Sequence, residues 1–168
     1  VEAHRDRRPR VLRTRGDVTE GIYGLVLATS VIAVSQEYES QRAGAVAVTV
    51  LVTSIVFWLA HVYARILARA AAGDRWPTRA EMREVMRHDW PLVEVALPLV
   101  LVMMLGVVGL LADRTAVALA VAMALVELAL VGAYAAATSG SRLPGVVLSS
   151  AVAVALGSIV VLLKALAH

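Results

Sequence analysis

The chain has 168 residues, of which 60% are hydrophobic and 17% charged, with a formal net charge of +3 and a mean hydropathy of +0.76. That balance lies outside the range of soluble domains and predicts an all-α, polytopic integral membrane protein, too short to carry a folded soluble domain beside its spans. Catalysis in a large extramembrane module is therefore not expected, and the absence of cysteine excludes disulfides, thiolate metal ligands and cysteine nucleophiles.

Residues 1–16 hold six arginines and show no apolar period, so they read as a basic cytoplasmic tail. A signal peptide also places a basic stretch before an apolar one, and Arg7 and Arg8 form an arginine pair. The apolar run from Val18 to Gln36 is too long for that and lacks a small-x-small cleavage site, so an uncleaved first span is predicted. Four more spans follow at about 44–68, 91–112, 115–137 and 144–166. They give a single five-helix membrane domain over 17–168 that includes a cytoplasmic loop at about 69–90. With the amino terminus inside, thirteen of the Lys and Arg residues fall on the cytoplasmic side, in the tail, the 65–90 segment and at Arg142. Arg42, Arg114 and Lys164 fall outside. The positive-inside rule thus predicts an N-in, C-out protein of the cell inner (cytoplasmic) membrane. The same placement accounts for the basic pI, and no nucleic-acid partner is expected.

Within the long loop, Thr78 and Glu81 have the spacing of a capping box. Met82, Val85 and Met86 fall at i, i+3 and i+4 with the charges elsewhere, which predicts a short interfacial amphipathic helix on the inner membrane surface. Trp76 and Trp90 flank it at headgroup level. The arginines of this loop read either as a solvated connector or as a docking face for anionic lipid or a cytoplasmic protein. Asp89 and Pro91 mark the next start, Asp89 as a cap and Pro91 in the first turn. Pro98 predicts a kink inside the third span.

Ionisable side chains are costly in hydrocarbon, roughly 2.5–3.5 kcal/mol at a helix centre, so they face protein or water. Five positions are of this kind: Glu20, His61, Glu94, Glu127 and Lys164. Glu20, Glu94 and Lys164 lie near predicted ends; Glu127 lies mid-span. Ser54, Trp58, His61 and Arg65 share one helical face at i, i+4, i+7 and i+11. On one reading His61 hydrogen-bonds a neighbouring helix and fixes packing; on the other it responds to protons or adjoins a pore. Glu127 is either protonated and hydrogen-bonded or a proton or cation carrier, and helix order decides whether it pairs with His61. Gly21 and Gly24, Gly106 and Gly109, and Gly157 with Ser158 suit close helix approach. No metal-ligand spacing, phosphate loop or nucleophile elbow is present, so neither cofactor, metal nor catalytic residue is expected.

The run "VTEGIYGL" at 18–25 and "FWLAH" at 57–61 together resemble the bacterial and endolysosomal TMEM-type potassium channels. Their first helix begins with a Phe-Ser-Asp motif, and a histidine follows a Phe-Trp pair on the second. Val18, Thr19 and Glu20 take the motif positions, and Phe57, Trp58 and His61 match the second part. The motif phenylalanine is Val18 here, the acid is one methylene longer, the upstream arginine position holds Thr14, and five predicted spans replace six. The resemblance covers the first two helices. It implies a homo-oligomeric cation channel lined by its first helices, with an apolar ring near Leu25 as constriction and Glu20 as the acid that holds helices together.

The expected activity is permeation of a cation or protons through a self-associating protein in the lipid bilayer. Glu20, Leu25, Thr29, Ser30 and His61 are the pathway candidates, although the hydroxyls of Thr29 and Ser30 also suit bonding back to their own helix. Two alternatives stand beside it: a non-enzymatic structural or accessory subunit that binds a partner or lipid, and a proton-coupled exporter of small solutes using Glu127.

Overall fold

A computed structural model describes residues 15–35, 42–73 and 76–166, with side chains from Val18 to Ile159. The described chain is helical with no strand: α1 (Arg15–Ser35), α2 (Ala43–Gly73), α3 (Arg79–His88), α4 (Pro91–Glu94), α5 (Leu97–Val107), α6 (Asp113–Thr138) and α7 (Leu143–Leu166). Most of the basic tail and the side chain of Lys164 lie outside the described residues. α1, α2 and α6 are long and apolar enough to cross a membrane, and a fourth crossing is formed if the bent segment through α4 and α5 counts as one. α7 is apolar over its described part, Leu143–Ile159.

The surface is the reverse of a soluble protein's. α2 exposes Val48, Val52, Val56, Leu59 and Tyr63 along one stripe, while Ser54 is buried and the polar groups of His61 and Arg65 turn inward. In water such a helix would leave its apolar face unburied; in lipid it costs nothing. This is the surface of a membrane protein. At 1.5 Å per residue α2 is about 46 Å long, some 15 Å more than a hydrocarbon core. It runs to Gly73, beyond the expected end at 68, and α3 packs on it about two to four turns before that end, at Trp58, Val62 and Ile66.

α1 is the central helix, touching α2, α4, α6 and α7. Leu25, Ile32, Val50, Leu99, Met103 and Leu128 are fully buried in the core around it. α5 lies between α2 and α6, and α6 pairs with α7 through small residues. There Ser149 Oγ donates to the Gly132 carbonyl at 2.9 Å and Ser150 Oγ to that of Ala129 at 3.1 Å. Gly132 allows this approach, since a Cβ on it would meet the Ser149 carbonyl at 2.9 Å. Gly106 is similarly tight, against Ala43 and Ala116, but Gly109 has nothing within 4 Å and a φ of +77°. Gly109 is therefore not a packing residue; it makes the left-handed turn that ends α5.

Pro98 acts as expected, in the first turn of α5. Lacking an N–H, it leaves the Glu94 carbonyl without its helical partner, and the chain bends by 45° between Glu94 and Leu97. The capping box is also formed: the Thr78 side chain accepts from Glu81 N–H and the Glu81 carboxylate from Thr78 N–H. Asp89 departs from expectation. The α4 cap is Trp90, which makes no side-chain capping bond, and Asp89 is fully buried, its carboxylate turned to Arg65 of α2.

Gly24 sets the distance between α1 and α4. A Cβ there would meet the Leu92 carbonyl oxygen at 2.5 Å, so either the helices separate or α4 shifts. Gly24→Ala is expected to lower the detergent-solubilised melting midpoint by several degrees, consistent with an overpacking cost of about 1–3 kcal/mol. Gly73→Ala, with nothing within 4 Å, should leave the midpoint unchanged or slightly raised. Equal midpoints for the two variants would show that α1 and α4 do not approach this closely.

Candidate functional site

The polar face of α2 is the foundation of the site. Its helical period carries Ser54, Trp58, His61 and Arg65 down one side, and the packing turns that side towards α1 and the α3–α4 corner. Glu20 stands opposite on α1, its side chain only 5% exposed. From the corner comes Asp89, with none exposed. Arg65 lies between the two acids: Nη2 donates to Glu20 Oε1, and Nε stands 3.0 Å from Asp89 Oδ1. A guanidinium suits this position because its planar fork serves two carboxylates at once and it stays charged. His61 Nε2 is 3.8 Å from Glu20 Oε2, and the imidazole is 33% exposed. Phe57 packs against its ring, centroids 5.0 Å apart.

Aromatic contacts close the neighbouring turn. Trp58 Nε1 donates to the Met86 carbonyl at 3.2 Å, satisfying a group that the end of α3 leaves without a helical partner. Its ring meets that of Trp90 edge-on, at 5.5 Å and 88°. A small apolar cluster of Val62, Ile66 and Val85, with Trp58 and Met82 against it, completes the seam between α2 and α3. The amphipathic face of α3 is thus spent largely on α2.

The cluster is not balanced. Two carboxylates face one guanidinium, with His61 beside Glu20 and His88 near enough to Asp89 to act on its charge; the acids outnumber the fixed cation by one. Glu20 Oε2, both Asp89 carboxylate oxygens and Ser54 Oγ are buried without a hydrogen-bond partner; the Arg65–Asp89 contact is a charge contact rather than an aligned bond. Buried acceptors of this kind attract protons, water or cations, because leaving them bare is costly. Among the described residues no three His, Asp or Glu side chains converge as metal ligands.

Of the residues singled out from sequence, the structure brings together Glu20 and His61. Leu25 and Thr29 are enclosed within the chain itself, and Thr29 Oγ1 donates to the Leu25 carbonyl at 2.7 Å. Ser30 is half-buried and donates to Val26 at 2.6 Å. Neither Leu25 nor Thr29 lies on an outer face where a second copy could meet it. Glu94 and Glu127 are half-buried, and His61 meets Glu20 rather than Glu127. Arg65, placed by the helical period on the polar face of α2, and Asp89, expected as a cap, complete the cluster although neither is among the pathway candidates; the readable signal for Arg65 is its position one turn beyond His61 on the same face. No protein-family model matches the chain, and neither a characterised protein nor a solved structure matches it.

Removing Arg65 leaves two buried carboxylates facing each other. Arg65→Met is expected to lower the unfolding free energy in mixed micelles by roughly 2–3 kcal/mol, at the low end for a buried pair because the arginine is partly exposed. Glu20→Gln should then cost less in the Arg65→Met background than in wild type. A strictly additive cycle would show that the two side chains do not interact.

Proposed function

We propose that the chain is a homo-oligomeric channel for a cation or protons in the cytoplasmic membrane, with five spans, N-in and C-out, and the Glu20 cluster at its cytoplasmic end. The observation that carries this reading is the surplus acid of the cluster. Charges that only pinned helices together would be expected to balance, since each unpaired buried charge is destabilising. Here a buried carboxylate oxygen is left open beside a partly exposed histidine, which links solvent to a group able to hold a proton or attract a cation. The contact of Glu20 with His61 and Arg65 also supports the resemblance to the TMEM-type potassium channels, in which the acid of the first helix holds its neighbours. Because Leu25 is enclosed, a path between copies would use the outer stripe of α1: Thr19, Tyr23, Ser30 and Val34, which are exposed or half-buried.

A second reading follows from the burial of Leu25 and Thr29. If α1 is wholly a core helix, the protein is a non-conducting membrane subunit, and its cluster serves packing and partner docking.

Proteoliposomes separate the two. Potassium or proton flux above that of empty liposomes is expected for wild type, falling several-fold in Glu20→Gln and in His61→Ala at equal incorporation and oligomeric state. Leu25→Ala has to be compared at matched folded fraction, because it opens a core cavity. Absence of flux across a range of pH and voltage would leave the subunit reading.

Topology has its own test, made clean by a chain without cysteine. Single cysteines at Ala80 and Ser141 are expected to react with an impermeant maleimide only after the cytoplasmic side is opened, and one at Arg114 in intact cells. Labelling of Ala80→Cys in intact cells would reverse the orientation.

A further inference from the structure

With Val85 turned onto α2, the remaining surface of α3 is sorted by charge. At about 100° per residue, Arg79, Arg83 and Arg87 lie within an arc of about 80°, spanning roughly 12 Å along the axis. All three are exposed, and no ion pair joins any of them to another described residue. Met86, 41% exposed, borders the arc on the side nearer α2. Trp76 before the helix and Trp90 after it are 62% and 44% exposed. A row of guanidinium groups thus runs between exposed aromatic and thioether side chains, beside the apolar outer stripe of α2. That is the polarity profile of a helix at the boundary between headgroups and acyl chains.

We propose that Arg79, Arg83 and Arg87 form a binding face for the phosphate groups of anionic phospholipids, with Trp76, Met86 and Trp90 set into the same interface. Guanidinium groups pair with phosphate oxygens through two parallel hydrogen bonds; of the carboxylates on α3 itself, Glu81 serves the capping box, and exposed Glu84, about 60° round the helix from Arg87, makes no ion pair with the row. The packing of α3 onto α2 at Trp58, Val62 and Ile66, where the exposed apolar stripe of α2 reaches Leu59 and Tyr63, favours a lipid over a soluble acidic protein. The proposal rests on the membrane reading and is independent of permeation.

The chain's three tryptophans, Trp58, Trp76 and Trp90, all sit at this locus, so their fluorescence reports on it without a label. The full-length protein is reconstituted in phosphatidylcholine bilayers containing a minor fraction of phosphatidylglycerol, with bromine on the acyl chains of one lipid or the other. Brominated phosphatidylglycerol should quench more strongly than brominated phosphatidylcholine at equal mole fraction, and the relative association constant derived from the two quenching curves should favour phosphatidylglycerol by about fivefold for each arginine engaged. The preference should collapse in Arg79→Gln/Arg83→Gln/Arg87→Gln and in high salt, and survive in part in the corresponding triple Lys variant. Equal quenching by both lipids overturns the proposal, as does a preference that the triple Gln variant retains. Quenching by neither lipid overturns it too and leaves an acidic protein as the partner for the face. Resistance to alkaline carbonate extraction reads the membrane assignment separately, so its failure is not confused with that of the lipid site.

Discussion

Arg65 is the constraint on which the charged end of this bundle depends. It is the group that meets carboxylates from two other parts of the chain, Glu20 of α1 and Asp89 at the α3–α4 corner. Each of those carboxylates would be costly to bury alone. The fold therefore needs α1, α2 and the corner to arrive together, and a helix pair without the third element leaves an acid bare. The bond from Nη2 to Glu20 is directional and ties α2 to α1, whereas the contact with Asp89 is Coulombic and holds the corner near α2 without fixing its angle.

Below the cluster the constraint changes character. Lipid supplies no hydrophobic drive between helices, so close contact through small residues and carbonyl-directed hydroxyls has to hold them. Gly24 against Leu92, Gly106 against Ala43, and Gly132 beneath Ser149 are those contacts. They explain why large apolar side chains can be left outside on α2 and α6 while alanine and glycine are buried. The two regimes meet in α1, charged near its N-terminal end at Glu20 and apolar in its middle, which is why it is the most enclosed helix.

How far this was legible from sequence follows the range of each signal. Helix positions were readable because hydropathy and length are local, and so were the Thr78–Glu81 box and the break at Pro98, which depend on neighbours within a turn. The polar stripe on α2 was readable from period alone. What faced it was not: Glu20 and Asp89 are separated from Arg65 by many residues, and nothing in one sequence says which helices touch. Asp89 was misread because an acid before Trp-Pro suits a cap, and burial beside Arg65 is a tertiary fact that overrides the local preference. Leu25 resembled a constriction because an apolar residue on a first helix looks the same facing a pore or a core. Gly109 looked like packing for a similar reason, since glycine serves a turn and a close contact equally well.

The position of Asp89 joins the two charged features of this end of the bundle. It follows α3 directly, its N–H bonded to the Val85 carbonyl at 3.1 Å, so the corner is continuous with the helix that carries the arginine row. α3 is fastened to α2 by Val85, by the Trp58 bond to Met86 and by Arg65 through Asp89. All three ties fall in its last turn and the corner beyond it, so the end of α3 that leads into Asp89 is the end most firmly attached to α2. One short stretch of chain thus carries both features: the buried carboxylate that meets Arg65 and, about one to three turns earlier on the exposed side of the same helix, Arg79, Arg83 and Arg87, so the attachment that buries Asp89 also sets where that arginine face lies.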